Sequence, residues 1–331
     1  MKHKPLASLS LDLDNKWSYM KTHGEAGWES FPSYFDTVVP RVLEFLRQRD
    51  LKITFFIVGQ DAALDKNHAA LKAIAEAGHE IGNHSFNHEQ RLHLYPENEI
   101  EADLGKAEEH IQRVTGYQPV GFRGPGYSVA ESTLNVLKRM GYQYDCSTFP
   151  TYLGPLARLY YFMSANLTPA EKRARGQLFG TWADGTRPIG PFRWQLESGD
   201  LTEIPVTTMP ILRVPIHVSY VLYLSTFSRL LTLTYFRFAL LMCRIRRVQP
   251  SILLHPLDFM GSDDTGDLAF FPAMRARHED KLEVVSEVLR LLGKDHRIVT
   301  MQEHAQEVAR NTELSTVKPR FGAQSGRGAT L

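Results

Sequence analysis

The sequence predicts an α/β protein built on a parallel sheet. Through the first 145 residues, short runs of β-branched and aromatic residues alternate with longer amphipathic segments, several of which end at glycine. This alternation is typical of parallel sheets, in which a helix connects each strand to the next. Several polar residues also follow directly after predicted strands, which is where parallel folds place their functional sites.

Local patterns predict each element in order. Residues 6–13 alternate in polarity and predict a first strand, and the apolar run at 53–58 predicts a second. Helical periodicity marks 37–49, and 69–77 is helical up to Gly78, a residue that suits a helix C-terminus. The next predicted elements are strand 79–84, helix 97–114, strand 120–123, helix 131–140 and strand 142–145. After an interruption the pattern resumes with strand 251–254, helix 281–292, strand 296–300 and helix 301–310.

Two segments depart from this alternation. Residues 15–36 are rich in aromatic side chains and are predicted to form a long loop. Residues 150–248 are predicted to be an insertion that precedes the last strand-end motif. Within it we expect a charged helical piece at 169–177, a strand at 204–206 and an apolar helical region at 220–246. No uncharged apolar run there is long enough to predict a membrane-spanning helix.

The composition narrows the class of protein. The chain has 331 residues with 38 Lys and Arg against 37 Asp and Glu, a net charge of +1. This balance argues against a nucleic-acid binder that works by bulk positive charge, so no nucleic-acid partner is expected. The length suits one large domain at 1–310, and the polar residues 311–331 predict a disordered tail. Cys146 and Cys243 fit no disulfide framework.

Charge is unevenly distributed along the chain. The stretch 204–257 contains no Asp or Glu, whereas it contains six Arg. Two interpretations are open for the apolar, arginine-containing part of it. It could cover the core while its arginines pair with acids elsewhere, or part of 204–250 could make peripheral contact with an anionic membrane.

One candidate site is a metal centre. His84 and His88 are four residues apart after a predicted strand and could bind one cation, with Asp14 as a carboxylate ligand from a neighbouring strand end. Two histidines and one carboxylate with open positions suit a catalytic divalent metal. Asp12 could then act as a base toward water. Alternatively, the histidines are unrelated surface residues and the two aspartates form a turn.

Three further strand-end residues could take part in acid–base chemistry. His255 follows the apolar strand 251–254 and could protonate a leaving amine. Arg123 and Asp145 could orient the base and the acid through charge-assisted hydrogen bonds. The alternatives are a core histidine at 255 and ordinary ion-pair partners at the other two positions.

In this order and spacing, the residues resemble the five motifs of the NodB-homology polysaccharide deacetylases, carbohydrate esterase family four. The matching segments are Ser10-Leu11-Asp12-Leu13-Asp14, His84-Ser85-Phe86-Asn87-His88, Arg123-Gly124-Pro125, Tyr144-Asp145-Cys146-Ser147 and Leu253-Leu254-His255. Three positions differ from the family pattern. The second acid of the first motif, Asp14, stands one residue later than in the usual pattern. The tyrosine expected after the proline is Gly126, with Tyr127 next, and the tryptophan of the fourth motif is absent, with Phe149 as a candidate replacement.

The resemblance implies a distorted (β/α) barrel of about seven parallel strands and a metal-dependent hydrolase that removes an N-acyl group from an amino sugar. It assigns the base to Asp12, the acid to His255 and one divalent ion, usually Zn²⁺, to Asp14, His84 and His88. It further implies that Arg123 orients Asp12, that Asp145 tunes His255, and that Leu253, Gly126 and Tyr127 belong to the acyl pocket. The acyl group is expected to be acetyl, with formyl or another acyl group as the alternatives.

The N-terminal sequence leads to an expectation for where in the cell the protein is located. The first predicted strand begins at Leu6 and no signal-peptide core precedes it, so a cytoplasmic enzyme is expected. Cytoplasmic relatives of this family often act on lipid-linked sugars, which implies a polyprenyl-phosphate-linked amino sugar at the inner face of the membrane. Two other classes remain open, a hydrolase of non-sugar amides or imides and a non-catalytic homologue that binds carbohydrate or lipid.

Overall fold

The predicted α/β class is confirmed. The structure is a computed structural model that describes residues 4–154, 184–310 and 313–321. Ten strands in these ranges form one sheet, and helices cover it. The predicted helical piece at 169–177 lies outside the described residues.

The sheet is mostly parallel. Its strands are β1 (Leu6–Leu13), β2 (Thr54–Ile57), β3 (Glu80–Asn83), β4 (Gly121–Phe122), β5 (Tyr144–Asp145), β6 (Phe192–Leu196), β7 (Gly199–Glu203), β8 (Ser251–Leu254), β9 (Arg297–Val299) and β10 (Thr316–Val317). They are ordered β10-β6-β7-β5-β4-β3-β2-β1-β8, and β9 pairs with the first half of β1. All pairs are parallel except β6–β7, an antiparallel hairpin. In the ranges that the structure describes, edge strands β8 and β10 do not pair to close a barrel.

The helices follow the predicted order with two additions, at 16–23 and 59–62. They are α1 (Lys16–His23), α2 (Phe35–Arg47), α3 (Gly59–Ala62), α4 (Asp65–Glu76), α5 (Glu97–Thr115), α6 (Glu131–Arg139), α7 (Val218–Ser225), α8 (Arg229–Ile245), α9 (His278–Asp295) and α10 (Met301–Ala309). The prediction of a loop over 15–36 is wrong at α1. Asn15 caps this helix by accepting a hydrogen bond from the backbone of Lys16, and Gly24 ends it with a φ of +84°.

The structure corrects the predicted insertion and tail. Hairpin β6–β7 extends the main sheet beyond β5, so this part of 150–248 belongs to the domain's own architecture. The strand predicted at 204–206 lies earlier, at β7, although the N–H of Ile204 still donates to the carbonyl of Asp145 at 2.9 Å. The tail prediction is wrong at β10, which pairs with β6. The helical region at 220–246 is two helices, because Ser228 caps the second one.

The core lies against the central strands. Strand β1 is buried at all eight positions, as expected for a parallel strand that is covered on both faces. Val38, Val42 and Leu46 of α2 pack into the same apolar cluster, because the 3.6-residue period puts them on one side of the helix. Helices α7 and α8 contribute one face each to this cluster.

Close packing between β4 and β5 generates a stability prediction. A Cβ atom at Gly121 would lie 1.9 Å from Cζ of Tyr144. We expect Gly121→Ala to lower the free energy of unfolding by about 1–3 kcal/mol, because the ring has no room to move within the sheet. Gly105→Ala on α5 is the control. Its Cβ would meet only Met140 Cε at 3.9 Å, and alanine should stabilise the helix by up to about 1 kcal/mol. Urea denaturation measures both, and equal stabilities would contradict the packing.

Candidate active site

The parallel register brings the predicted polar residues to one edge of the sheet. Strands β1 and β8 pair up to the residues that precede Asp12 and His255, so these two side chains come from adjacent strand positions. Strands β3 and β4 likewise pair up to the residues that precede His84 and Arg123. The predicted convergence of the motifs on one edge is therefore observed.

Asp14, His84 and His88 form a compact buried cluster. One carboxylate oxygen of Asp14, Oδ1, lies 2.8 Å from Nε2 of His88 and 3.5 Å from Nε2 of His84. The three ligand atoms lie within 4.8 Å of one another. Asp103 supports the turn that carries the histidines, because its carboxylate accepts the backbone N–H of Phe86 at 2.7 Å. Sequence reasoning did not single out Asp103.

The donor set of this cluster fits a divalent cation. Nδ1 of His84 lies 2.6 Å from the carbonyl oxygen of Arg123 and donates to it, since a carbonyl can only accept. Nε2 of His84 therefore presents a lone pair toward the carboxylate of Asp14, whose Oδ1 has no hydrogen-bond partner. Two facing electron donors in a buried site repel each other unless a cation lies between them. A backbone carbonyl that holds the second ring nitrogen is also the usual support of a metal-binding histidine.

The electrostatics keep the carboxylate of Asp14 ionised. Burial alone would raise the pKa of Asp14, but His88 and His84 outweigh burial and hold this pKa far below its ordinary value. Burial lowers the pKa of His84, whereas the neighbouring Asp12 and Asp14 raise it by more, so the net shift is upward. The ionised carboxylate of Asp14 supplies the deprotonated oxygen ligand that a divalent cation requires.

Arg123 and Asp12 form the contact that the sequence predicted. The guanidinium of Arg123 is fully buried, and its Nη1 donates to Oδ1 of Asp12 at 2.9 Å and to Oγ of Ser10 at 3.0 Å. Its Nε donates to the carbonyl of Cys146 at 3.1 Å. Because the backbone carbonyl of Arg123 also holds His84, one residue positions both Asp12 and a member of the metal cluster.

The predicted pairing of Asp145 with His255 is wrong. Oδ1 of Asp145 accepts a hydrogen bond from Ser147 at 2.6 Å, and its carboxylate neighbours Glu203. Burial and Glu203 raise the pKa of Asp145 well above its ordinary value, as expected for two acids that share a buried site. Glu203 lies on β7, the strand next to β5, so the added hairpin supplies the partner that the sequence could not reveal.

His255 is held by Ser219 and Asp258 instead. Its Nδ1 lies 2.9 Å from Oγ of Ser219, and its backbone N–H donates to Oδ2 of Asp258 at 2.8 Å. Ser219 also hydrogen-bonds the carboxylate of Asp258, which links the three groups into a chain. Asp258 was detectable from sequence as the third residue after a helix cap, whereas Ser219 carried no sequence signal.

A cavity of about 550 Å³ opens beside His255. Its walls are mainly aromatic and aliphatic and include Tyr19, Tyr127, Phe149, Tyr220, Tyr223 and Phe271. Tyr127 stacks on Phe149 with ring centroids 4.6 Å apart. Burial, together with the charges of Asp12, Asp14 and Asp258, raises the pKa of Tyr127, so its phenol stays protonated.

Two residues predicted for the acyl pocket are not among the residues that line this cavity. Leu253 is fully buried within β8, where it pairs with Ser10, and it does not line the cavity. Gly126 has a φ of +60° and faces the side chain of Gln90. It provides the turn that presents Tyr127, which does line the cavity.

Comparison with known proteins agrees with this site. Residues 25–144 match the family described as polysaccharide deacetylase. A peptidoglycan-N-acetylglucosamine deacetylase of Bacillus cereus is 37% identical over 95 residues, which cover 29% of this chain and 34% of that protein. A peptidoglycan deacetylase of Helicobacter pylori is 31% identical over 109 residues, covering 33% and 36%. The chain therefore spans about a third of the length of these curated relatives.

A solved structure shares the fold over almost the whole chain. It comes from a Mycobacterium smegmatis protein assigned to the polysaccharide deacetylases, with a TM-score of 0.61, 18% identity and coverage of 97% of each chain. At this identity the likeness concerns the fold alone. The family match, the identical segments and the ordered motifs at one sheet edge agree with one another. Over residues 25–144, and over the segments shared with these relatives, this chain is similar to the polysaccharide deacetylases.

Proposed function

We propose that this chain is a metal-dependent hydrolase that removes an N-acyl group, most simply acetyl, from an amino sugar. The observation that carries the proposal is the placement of Asp12, held by Arg123, beside the buried cluster of Asp14, His84 and His88. The names of the curated relatives, peptidoglycan deacetylases that hydrolyse an amide C–N bond, support the same reaction.

The residues of the chain divide the work of amide hydrolysis. Asp14, His84 and His88 would hold one divalent ion, which when bound polarises the amide carbonyl and lowers the pKa of water. Arg123 holds Oδ1 of Asp12, which leaves the second carboxylate oxygen to accept the proton of the attacking water. Tyr127 and Phe149 form part of the wall of the cavity beside His255.

His255 protonates the departing amine. Asp12 and His255 follow paired residues of adjacent strands, which supports their acting as base and acid on the same bound amide. Asp258 acts through the hydroxyl of Ser219 to hold Nδ1, which leaves Nε2 as the nitrogen that delivers the proton. His217 lies beside the ring of His255, and burial together with the His255 charge lowers the pKa of His217 to about 3, so it stays neutral.

We further propose that the amino sugar is carried by a polyprenyl phosphate at the cytoplasmic face of the membrane. The largely apolar wall of the 550 Å³ cavity supports this, since an acetyl group alone fills only a small part of that volume. A deacetylase assay with the lipid-linked sugar, the free sugar and a non-sugar N-acetyl amide separates the substrate classes. Cleavage of the non-sugar amide alone would contradict the proposal.

The metal cluster predicts specific ion binding. Protein saturated with Zn²⁺ and then desalted should retain one ion per chain by elemental analysis, and His84→Ala should lose it because a buried ligand is missing. His278→Ala is the matched control. It removes a histidine from the more exposed cluster with Asp263 and Asp264 and should keep the ion. Loss of the ion in the control but not in His84→Ala would contradict the assignment.

The base assignment predicts a large loss of rate with retained metal. Asp12→Asn should lower kcat by about 10²–10⁴-fold, the usual contribution of a general base, while Zn²⁺ stays bound because Asp12 is outside the ligand cluster. Asp200→Asn, an exposed position on β7, should leave kcat unchanged. Steady-state deacetylation and elemental analysis measure the two effects, and full activity of Asp12→Asn would exclude the assigned role.

The chain from Asp258 to His255 predicts a loss of rate. Ser219→Ala should lower kcat/KM by about tenfold, because Nδ1 of His255 loses the hydroxyl that holds the ring. Asp258→Asn should also lower kcat/KM, because its carboxylate accepts the backbone N–H of His255. Ser225→Ala on the same helix is the control, since that hydroxyl bonds the carbonyl of Leu222. Steady-state deacetylation measures all three variants, and an unchanged kcat/KM in Ser219→Ala and Asp258→Asn would show that His255 needs no such support.

A further inference from the structure

Helix α8 is apolar on two opposite faces. One face, with Phe236, Ala239, Leu240 and Cys243, is buried in the core. A surface helix of a globular protein normally turns charged and polar residues to the outside. The outer face of α8 instead carries Leu230, Leu231, Phe238, Leu241 and Ile245, all of them exposed.

This outer surface continues beyond α8. Phe227, in the turn between α7 and α8, is 74% exposed, and Leu230 and Leu231 are 73% and 70% exposed. Of the twelve large apolar side chains exposed in the described parts of the chain, nine lie between residues 211 and 245. We call Phe227, Leu230, Leu231, Phe238, Leu241 and Ile245 the α8 face. Such a concentration marks an interaction surface.

The charged side chains on α8 and in the turn that follows it are all positive. Arg237, Arg244, Arg246 and Arg247 are exposed, and none of them forms a salt bridge with an acid in the described ranges. Arg229 is engaged with Glu283 at 2.6 Å and is not part of this group. Because the stretch 204–257 has no acid of its own, the face presents apolar and positive groups together. An anionic bilayer offers the complementary apolar interior and negative headgroups.

The α8 face lies next to the cavity of the candidate site. Tyr223 is exposed and also lines the cavity, and its ring contacts that of Phe227 at a centroid distance of 5.4 Å. A second exposed apolar pair, Ile211 and Leu212, lies at the tip of a loop. The hydroxyl of Tyr235 on α8 donates to Pro215 near the base of that loop at 2.6 Å.

We propose that the α8 face docks on an anionic membrane surface, with α8 lying in the plane of the headgroups. None of the described helices is long and apolar enough to cross a membrane. The inference rests on the proposed function only for the substrate it names, a lipid-linked amino sugar that would reach the cavity past Tyr223. Docking itself requires no catalysis.

Vesicle co-sedimentation of the full chain tests the surface. Wild type should pellet at low salt with vesicles of phosphatidylglycerol and phosphatidylcholine in equal parts, and not with phosphatidylcholine alone. Binding should weaken in high salt, since exposed charges are screened within about 3 Å at 1 M. Wild-type protein that stays in the supernatant with anionic vesicles at low salt would overturn the proposal.

Two variants separate the apolar from the charged contribution. Phe227→Ser with Leu230→Ser and Leu231→Ser removes apolar contact, and Arg237, Arg244, Arg246 and Arg247 all changed to Gln removes positive charge. Each should weaken partitioning, the arginine variant by about a hundredfold or more. The matched controls are Leu94→Ser with Tyr117→Ser, and Arg47, Arg139, Arg290 and Arg310 all changed to Gln, at exposed positions elsewhere. Equal loss in variants and controls would overturn the proposal.

Two further questions need separate measurements. One is whether the α8 face binds a second copy of the chain instead of a membrane, and the other is whether a variant has lost membrane docking or has lost catalytic activity. If the wild type is a dimer by sedimentation velocity and the triple serine variant is a monomer that binds vesicles normally, the face joins two copies of the chain and the proposal fails. Circular dichroism checks that the variants fold. Deacetylation of a soluble amino sugar should stay at the wild-type rate in both docking variants, so loss of membrane binding and loss of activity report on separate claims.

Discussion

The buried guanidinium of Arg123 is the constraint on which the site depends. A charge taken out of water is tolerated only when it is paired and hydrogen-bonded, and breaking such a pair typically costs about 3–5 kcal/mol. Through Nη1 and Nε, Arg123 bonds Asp12 and Ser10 of β1 and the carbonyl that follows β5, while its own carbonyl holds His84. The pairing of this buried charge thus aligns β1 with β4 and β5, which are not its neighbours in the sheet. The same contacts position the carboxylate of Asp12 and the imidazole of His84.

Other acids near the same edge of the sheet are also buried and hydrogen-bonded. Burial raises the pKa of Asp61 to about 7, although Asn15 and Trp17 donate to its Oδ1 at 2.7 and 3.0 Å. Because Asn15 is the cap of α1 and follows Asp14, this network supports the loop behind the metal cluster. Asp145 and Glu203, at the ends of β5 and β7, form a pair of buried acids. Polar groups here are structural supports of the site more often than they are its reacting members.

Helices α7 and α8 connect the site to the outside of the molecule. Helix α7 carries Ser219 toward His255 and Tyr223 toward the cavity, and α8 covers the core next to it. One segment therefore orients His255, lines the cavity and exposes an apolar surface. These three features are physically connected through it. Whatever covers the α8 face is therefore in a position to act on the cavity wall.

The sequence by itself determined the α/β class, the main strands before and after the interruption and the residues that meet at the sheet edge. It could do so because those residues directly follow strands, and parallel register carries that order into space without further information. The contact of Arg123 with Asp12 was expected from the resemblance to the polysaccharide deacetylases. The tertiary structure alone decided that Ser219 and Asp258 hold His255, that Asp145 faces Glu203 and that β6, β7 and β10 extend the sheet. It also decided which apolar face of α8 is buried. Partners that are distant in the chain leave no local sequence signal, and a helix that is apolar on two opposite faces does not indicate which of them is buried. Only the packing of the whole chain decides these contacts.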